Sequence, residues 1–249
     1  MEVFVISLAK HHDRYNSAET QLLRAGFLKT QIVHFPAVEG SKVNIDDESI
    51  VSSQARHHIL SGSGAKNGGQ FIPSRNALGC YLSHYRLWQI IASQGGDAMI
   101  AEDDIVFRVP NASRAITERW ESAKKLGMEI LLLGGSKLPL LPSTEKNVFH
   151  VMDHFFGTEG YIISAQGAER LLKNALPIKT QVDAYIGSFA STRKIKIGAV
   201  RPSISGQSHI FPSSVQNQTL KRRVFFKLRQ QWLPALFLIL FLILVIAKK

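Results

Sequence analysis

Three consecutive carboxylates, Glu102-Asp103-Asp104, close a short apolar run, Ala98 to Ala101, and a second apolar run begins at Ile105. A run of this kind reads as a buried strand, which places the acids where the strand leaves its sheet. In open α/β sheets that edge is where ligands bind. Side chains alternate along a strand, so Glu102 and Asp104 are expected on one side and Asp103 on the other. Two carboxylates two residues apart can hold a hard divalent cation, which shares its remaining positions with water and a phosphate-bearing ligand. A solvated turn, or charge at a helix N-terminus, also produces an acid triplet. The flanking apolar residues favour the metal-diphosphate reading, because adjacent acids between hydrophobic runs repel one another unless something compensates them.

The surrounding pattern alternates strands and helices, as an α/β fold requires. Glu2 to Leu8 reads as a first central strand and Gln31 to Val38 as a second, with Glu39-Gly40 closing it. Between them, His11 to Gly26 follows helical spacing through Ala18, Leu22 and Ala25. Arg14 falls in the turn after the first strand, as a solvated helix charge or as a partner for an anionic ligand. Asn76 to Ser93 is a strongly periodic helix, with Ala77, Tyr81, Tyr85, Trp88 and Ala92 on one stripe. Residues 41–75 look irregular, and their glycine-rich part (61–75) reads as a candidate lid. Further on, a helix is expected over 113–126, strands over Met128–Leu133, His150–Phe156, Gly157–Ser164 and Lys196–Val200, and a helix over Ala165–Ala175. Arg201 to Gln218 is polar and rich in turn formers.

Composition narrows the function. The chain has 249 residues, 45% of them hydrophobic, enough for one large α/β domain with an appendage. Its one cysteine, Cys80, excludes a disulfide framework within the chain and reads as a buried small hydrophobe. The net charge of +11 is concentrated at the end: residues 221–249 hold seven basic residues and no acid. No basic stripe interleaved with aromatics runs through the rest, so nucleic acid is not an expected partner. Leu233 to Ala247 is apolar for about fifteen residues behind that basic cluster. As a helix it covers ~22 Å, short of a bilayer core unless Trp232 and the terminal lysines extend its reach. The expected organisation is therefore a domain over 1–220, a basic juxtamembrane segment over 221–231 and a membrane-anchoring helix over 232–247. The positive-inside rule would put the catalytic domain on the cytoplasmic face.

Four stretches taken together resemble glycosyltransferase family 25, the lipooligosaccharide β-galactosyltransferase family that also includes collagen galactosyltransferase domains. They are Val5-Ile6-Ser7-Leu8 with Arg14; Phe35-Pro36-Ala37-Val38-Glu39-Gly40; Leu78-Gly79-Cys80-Tyr81-Leu82-Ser83-His84 through Trp88; and Ala101-Glu102-Asp103-Asp104-Ile105. Gly160-Tyr161-Ile162-Ile163-Ser164 with Gly167-Ala168 matches a later strand-helix element. The chain departs from the pattern at Arg75-Asn76-Ala77-Leu78, where an acid usually precedes Gly-Cys, and in its hydrophobic tail. The resemblance implies a GT-A-like mixed sheet flanked by helices, with a divalent cation (Mn²⁺ or Mg²⁺) and a UDP-sugar donor, most simply UDP-galactose. Glu102 and Asp104 would contact the metal or the ribose-diphosphate, with Asp103 beside them. Ser7, Leu8, Arg14, Val38, Glu39 and Gly40 would line the nucleotide pocket, and Ser83 and His84 would stand near the donor. Inverting transfer also needs a base for the acceptor hydroxyl. Asp183, an isolated acid in an apolar stretch, is the candidate, although it also suits a helix cap. His209 is a candidate third metal ligand. The expected activity moves a hexose to a lipooligosaccharide, lipopolysaccharide or other surface glycan. Two rivals share the same residues: a metal-dependent nucleotidyl- or phosphotransferase, and a catalytically silent membrane-anchored binding protein.

Overall fold

A computed structural model describes residues 1–63, 71–208 and 210. In chain order its elements are β1 (Glu2–Ser7), α1 (His12–Arg24), β2 (Ile32–Pro36), α2 (Ser53–Ser61), α3 (Arg75–Gln94), β3 (Ala98–Glu102), β4 (Ile105–Phe107), α4 (Ala112–Lys125), β5 (Ile130–Leu132), β6 (Leu140–Pro142), β7 (Val148–Val151), β8 (Gly160–Ile163), α5 (Ala165–Leu172), α6 (Val182–Ser191), β9 (Ile197–Val200) and β10 (Ser205–Gln207). Eight strands form one mixed sheet in the order β2-β1-β3-β8-β5-β9-β7-β6, and β4 pairs with β10 in a separate ribbon. β1 runs parallel to both β2 and β3. β8 is inserted antiparallel between β3 and β5.

The central strands are apolar on both sides because both faces of the sheet are covered. Along β1, Phe4 and Ile6 enter one core with Tyr81, Trp88, Ile100 and Tyr161, on the side of α3, α5 and α6. Val3 and Val5 enter the other with Leu22, Met99, Ile116 and Trp120, on the side of α1 and α4. This is the period of two that a strand imposes on its side chains.

The helices begin and end where local chemistry directs. Ser52, Ser74 and Ser164 cap α2, α3 and α5, their hydroxyls accepting from the N–H groups of Ala55, Ala77 and Gly167. Gly95 ends α3 in the left-handed region at φ +74°, a conformation glycine adopts without steric cost.

Several expectations are corrected. Residues 41–75 are not irregular throughout, since α2 lies inside them. The strand expected at His150–Phe156 is β7, displaced toward the N-terminus to Val148–Val151 by its pairing with β9. Arg14 belongs to α1 rather than to a preceding turn. Asp183 lies in the first turn of α6, a helix not anticipated.

The expected basic segment 221–231 and anchoring helix 232–247 lie outside the described residues, as do His209 and most of the candidate lid. Among the described residues no helix is long and apolar enough to cross a membrane. For the described residues this corrects the expectation of membrane association through an apolar helix, with the catalytic domain on the cytoplasmic face. The longest described helix, α3, carries Arg75 and Arg86 and spends its apolar stripe on the core of the domain.

Candidate active site

The sheet delivers several chain segments to one edge. The C-terminal ends of the parallel strands β1, β2 and β3 meet there, at Ser7, Pro36 and Glu102. Because β8 runs the other way, its beginning, Thr158-Glu159, reaches the same edge. The strand β3 stops at Glu102, and Asp103-Asp104 form a turn before β4. The expected alternation therefore ends at Glu102, and each acid acquires its own surroundings.

Asp103 is the structural member of the three. One carboxylate oxygen accepts from Ser7 Oγ at 2.8 Å, and the other accepts from Arg14 Nε at 2.8 Å and from a terminal guanidinium nitrogen. Both side chains of this ion pair are about nine-tenths buried, at 11% exposure each. A fork of guanidinium donors on one carboxylate is the strong form of such a pair. Asp104 is compensated less well. Its Oδ2 lies 3.8 Å from Arg14, and its Oδ1 is buried without a hydrogen-bond partner. Burial and then the neighbouring charge of Glu102 push the Asp104 carboxyl up to about 7. Glu102 accepts from Thr158 Oγ1 at 2.7 Å and lies 3.6 Å from His84 Nε2. Burial acts to raise its pKa, but His84, Thr158 and Arg14 outweigh burial and hold it low. A carboxylate kept ionised beside one that is driven toward protonation leaves negative charge that Arg14 does not fully balance. A divalent cation fits there, and the orphaned Asp104 Oδ1 is the observation that supports the fit.

The other expected residues are placed as follows. Ser83 is fully buried on α3; it accepts from the Val38 N–H at 2.9 Å and donates to the Gly79 carbonyl. It thereby ties the segment after β2 to the helix. Gly40 and Gly79 allow that approach: a Cβ on Gly79 would stand 2.7 Å from Gly40 N and 3.0 Å from Gly40 Cα. His84 is also fully buried, its Nδ1 bonded to Tyr161 Oη at 2.9 Å. Leu8 is half-buried, and its carbonyl accepts from His11 N–H in the turn that leads into α1. Glu39 pairs with Lys42 at 3.0 Å and Lys10 at 3.8 Å, contacts that do not join it to the acidic triplet. Arg75, at the departure from the family pattern, donates to the Val43 carbonyl.

Asp183 approaches the edge indirectly. Its Oδ2 accepts from Gly157 N–H at 3.2 Å, and Gly157 precedes Thr158, the partner of Glu102. Burial raises the Asp183 carboxyl above its ordinary value, and the charge of Glu102 adds to this.

Three contributors were not anticipated. Thr158 and Glu159 escape notice because nothing local in the sequence shows that β8 runs antiparallel. Glu159 is buried, and its Oε1 accepts from Gly135 N–H at 2.6 Å. Cys80 stands with His84 and Glu102 in a group whose ligand atoms all lie within 4.8 Å of one another. The four-residue spacing of Cys80 and His84 on one helix was the available signal.

The family model described as Glycosyltransferase family 25 (LPS biosynthesis protein) matches residues 1–186, and the chain belongs to that family. It is 28% identical over 197 residues to procollagen galactosyltransferase 1 of Danio rerio, covering 74% of this chain and 30% of the relative. It is also 28% identical over 177 residues to a Bos taurus protein named probable inactive glycosyltransferase 25 family member 3, covering 69% of this chain and 28% of the relative. The chain thus spans about 30% of the length of such relatives. Among solved structures it is similar to a UDP-glucose pyrophosphorylase from acinetobacter baumanii, at 9% identity and a TM-score of 0.44, covering 83% of this chain and 87% of the other. The sheet itself, mixed and covered by helices on both faces, is GT-A-like.

Proposed function

We propose that this chain is a metal-dependent glycosyltransferase that moves a hexose from a UDP-sugar, most simply galactose from UDP-galactose, to a glycan acceptor of the lipooligosaccharide or other surface-glycan type, with inversion. The observation that carries the reading is the convergence of Glu102, Asp103 and Asp104 at one sheet edge, where Arg14 engages Asp103 and leaves a buried Asp104 oxygen without a partner. Family membership and the names of its galactosyltransferase relatives support the sugar-transfer class.

Glu102 and Asp104 would hold the divalent cation, which supplies Lewis-acid stabilisation of the departing diphosphate. Arg14 and Ser7 hold Asp103 at the turn and so fix where Asp104 projects. The Ser83 hydroxyl holds the Val38 segment as one wall of the nucleotide pocket. Asp183 accepts the proton of the acceptor hydroxyl as that oxygen bonds to the anomeric carbon and the bond to the diphosphate breaks. A carboxylate with a raised pKa is better matched to that task near neutral pH than an ordinary one.

The test is release of UDP from a panel of UDP-sugars, in the presence of lipooligosaccharide-type and simple galactoside acceptors, with Mn²⁺ and with chelator. The reading expects UDP and a glycosylated acceptor from one donor, lost on chelation. Release of pyrophosphate or phosphate instead would favour the nucleotidyl- or phosphotransferase reading. Failure of every UDP-sugar to bind, with or without metal, would favour a catalytically silent protein, the condition named for the Bos taurus relative.

A further inference from the structure

We propose that Cys80, His84 and Glu102 form a site for a thiophilic divalent ion of the Zn²⁺ class, adjoining the oxygen-lined edge of Glu102 and Asp104, sharing Glu102 with it and differing from it in donor chemistry. Cys80 and His84 lie one turn apart on α3, so both project from the same face of that helix. Glu102 meets them from the end of β3. The thiol sulfur, an imidazole nitrogen and a carboxylate oxygen lie within 4.8 Å of one another.

Two further observations point to an ion. First, His84 is fully buried, yet its Nε2 has no hydrogen-bond partner. A buried polar atom left in that state costs about 1–3 kcal/mol unless something satisfies it. Second, Nε2 stands 3.6 Å from Glu102 Oε1. That is too long for a hydrogen bond. It is close to the separation of about 3.4 Å between two donors that each lie ~2.05 Å from a tetrahedral ion.

The ring is also held as a metal-bound histidine is held. With the ring proton on Nδ1, that nitrogen donates to Tyr161 Oη at 2.9 Å, an oxygen that also accepts from Trp88 Nε1 at 2.9 Å, and Nε2 is left as the ligand atom. Partners of this kind fix a ligand ring in place. Thr158 does the same for Glu102. A donor set of sulfur, nitrogen and oxygen selects Zn²⁺ or Co²⁺ over Mg²⁺ or Ca²⁺, which take oxygen ligands. Binding exchanges the thiol proton for the metal–sulfur bond and releases that proton to solvent. The bound ion would tie α3 to β3 at the sheet edge.

The experiment reads metal binding alone, so a protein that transfers no sugar still tests it. The full chain is titrated with Zn²⁺ against a chromophoric chelator, and separately with Co²⁺ while the thiolate-to-cobalt charge-transfer absorption is followed. The chain has one cysteine, so any such band reports Cys80. The site predicts one tight Zn²⁺, a charge-transfer band, and a rise in melting temperature with Zn²⁺. Cys80→Ser, checked for folding by circular dichroism, should lose the band and the thermal shift and bind Zn²⁺ at least tenfold more weakly. Asp104→Asn should keep all three. Absence of the band in wild type, or equal Zn²⁺ affinity in Cys80→Ser, overturns the proposal.

Discussion

Replacing Arg14 by methionine removes the cation from the acidic turn while keeping much of its apolar stem. The structure sets the scale of the effect. Arg14 and Asp103 are each 11% exposed, and two of the hydrogen bonds on Asp103 come from this guanidinium. Breaking a buried pair by removing one partner costs about 3–5 kcal/mol, because the remaining charge is left uncompensated. Asp103 keeps its bond from Ser7 and a little solvent, which places the expected loss at the lower end, about 3 kcal/mol. For a domain of this size that is a fall in melting temperature of roughly 6–12 °C. Urea unfolding at neutral pH, followed by circular dichroism, measures it directly. Adding Asp103→Asn to Arg14→Met should recover part of the loss, since the charge that needed the arginine is gone. A loss below about 1 kcal/mol, in the range of an exposed pair, would refute the account of this pair as a buried clamp, as would a double variant no more stable than Arg14→Met.

Three further outcomes are expected. Gly79→Ala should destabilise the domain by about 1–3 kcal/mol in the same assay, because its Cβ would press on the backbone of Gly40, which cannot swing away. Asp183→Asn should lower sugar transfer by about 10²–10⁴-fold; in wild type the rate should rise with pH as Asp183 loses its proton, with the acid limb displaced above the ordinary carboxylate range and absent from the variant. Glu129, buried with Arg170 Nε 3.0 Å from one oxygen, has its carboxyl pushed up by burial. A folded-state pKa above the unfolded one makes stability fall as pH rises through the folded value, so the decline from acid toward neutral pH should be shallower in Glu129→Gln than in wild type.

Much of the layout was legible because it rests on local pattern. The stripe of Ala77, Tyr81, Trp88 and Ala92 marks α3, and the apolar runs of β1 and β3 mark strands buried on both faces. What escaped depends on distant parts of the chain. Ile162 pairs with Met99 on one side and Leu131 on the other, and no local signal announces that arrangement or the direction of β8. That direction is what brings Thr158 and Glu159 to the acids. The helix α2 carries His57 and His58 and buries only Ala55, so its periodicity is faint. The acidic triplet pointed to the sheet edge, but alternation could not reveal that the strand ends at Glu102. The division of roles, with Asp103 clamped by Arg14 and Asp104 left with an orphan oxygen, follows from that ending. Cys80 was read as a small hydrophobe and does pack against the core of Tyr81 and Trp88; that it also stands beside His84 and Glu102 depends on where β3 ends.

The proposed function requires that Glu102 and Asp104 make a nucleotide-diphosphate site that needs a divalent cation. Calorimetric titration of UDP into wild type and Asp104→Asn, each with Mn²⁺ and with chelator, reads that requirement. Binding to wild type with Mn²⁺, loss of binding on chelation, and affinity at least tenfold weaker in Asp104→Asn are expected. UDP binding that is indifferent to chelator, or unchanged in Asp104→Asn, would contradict it.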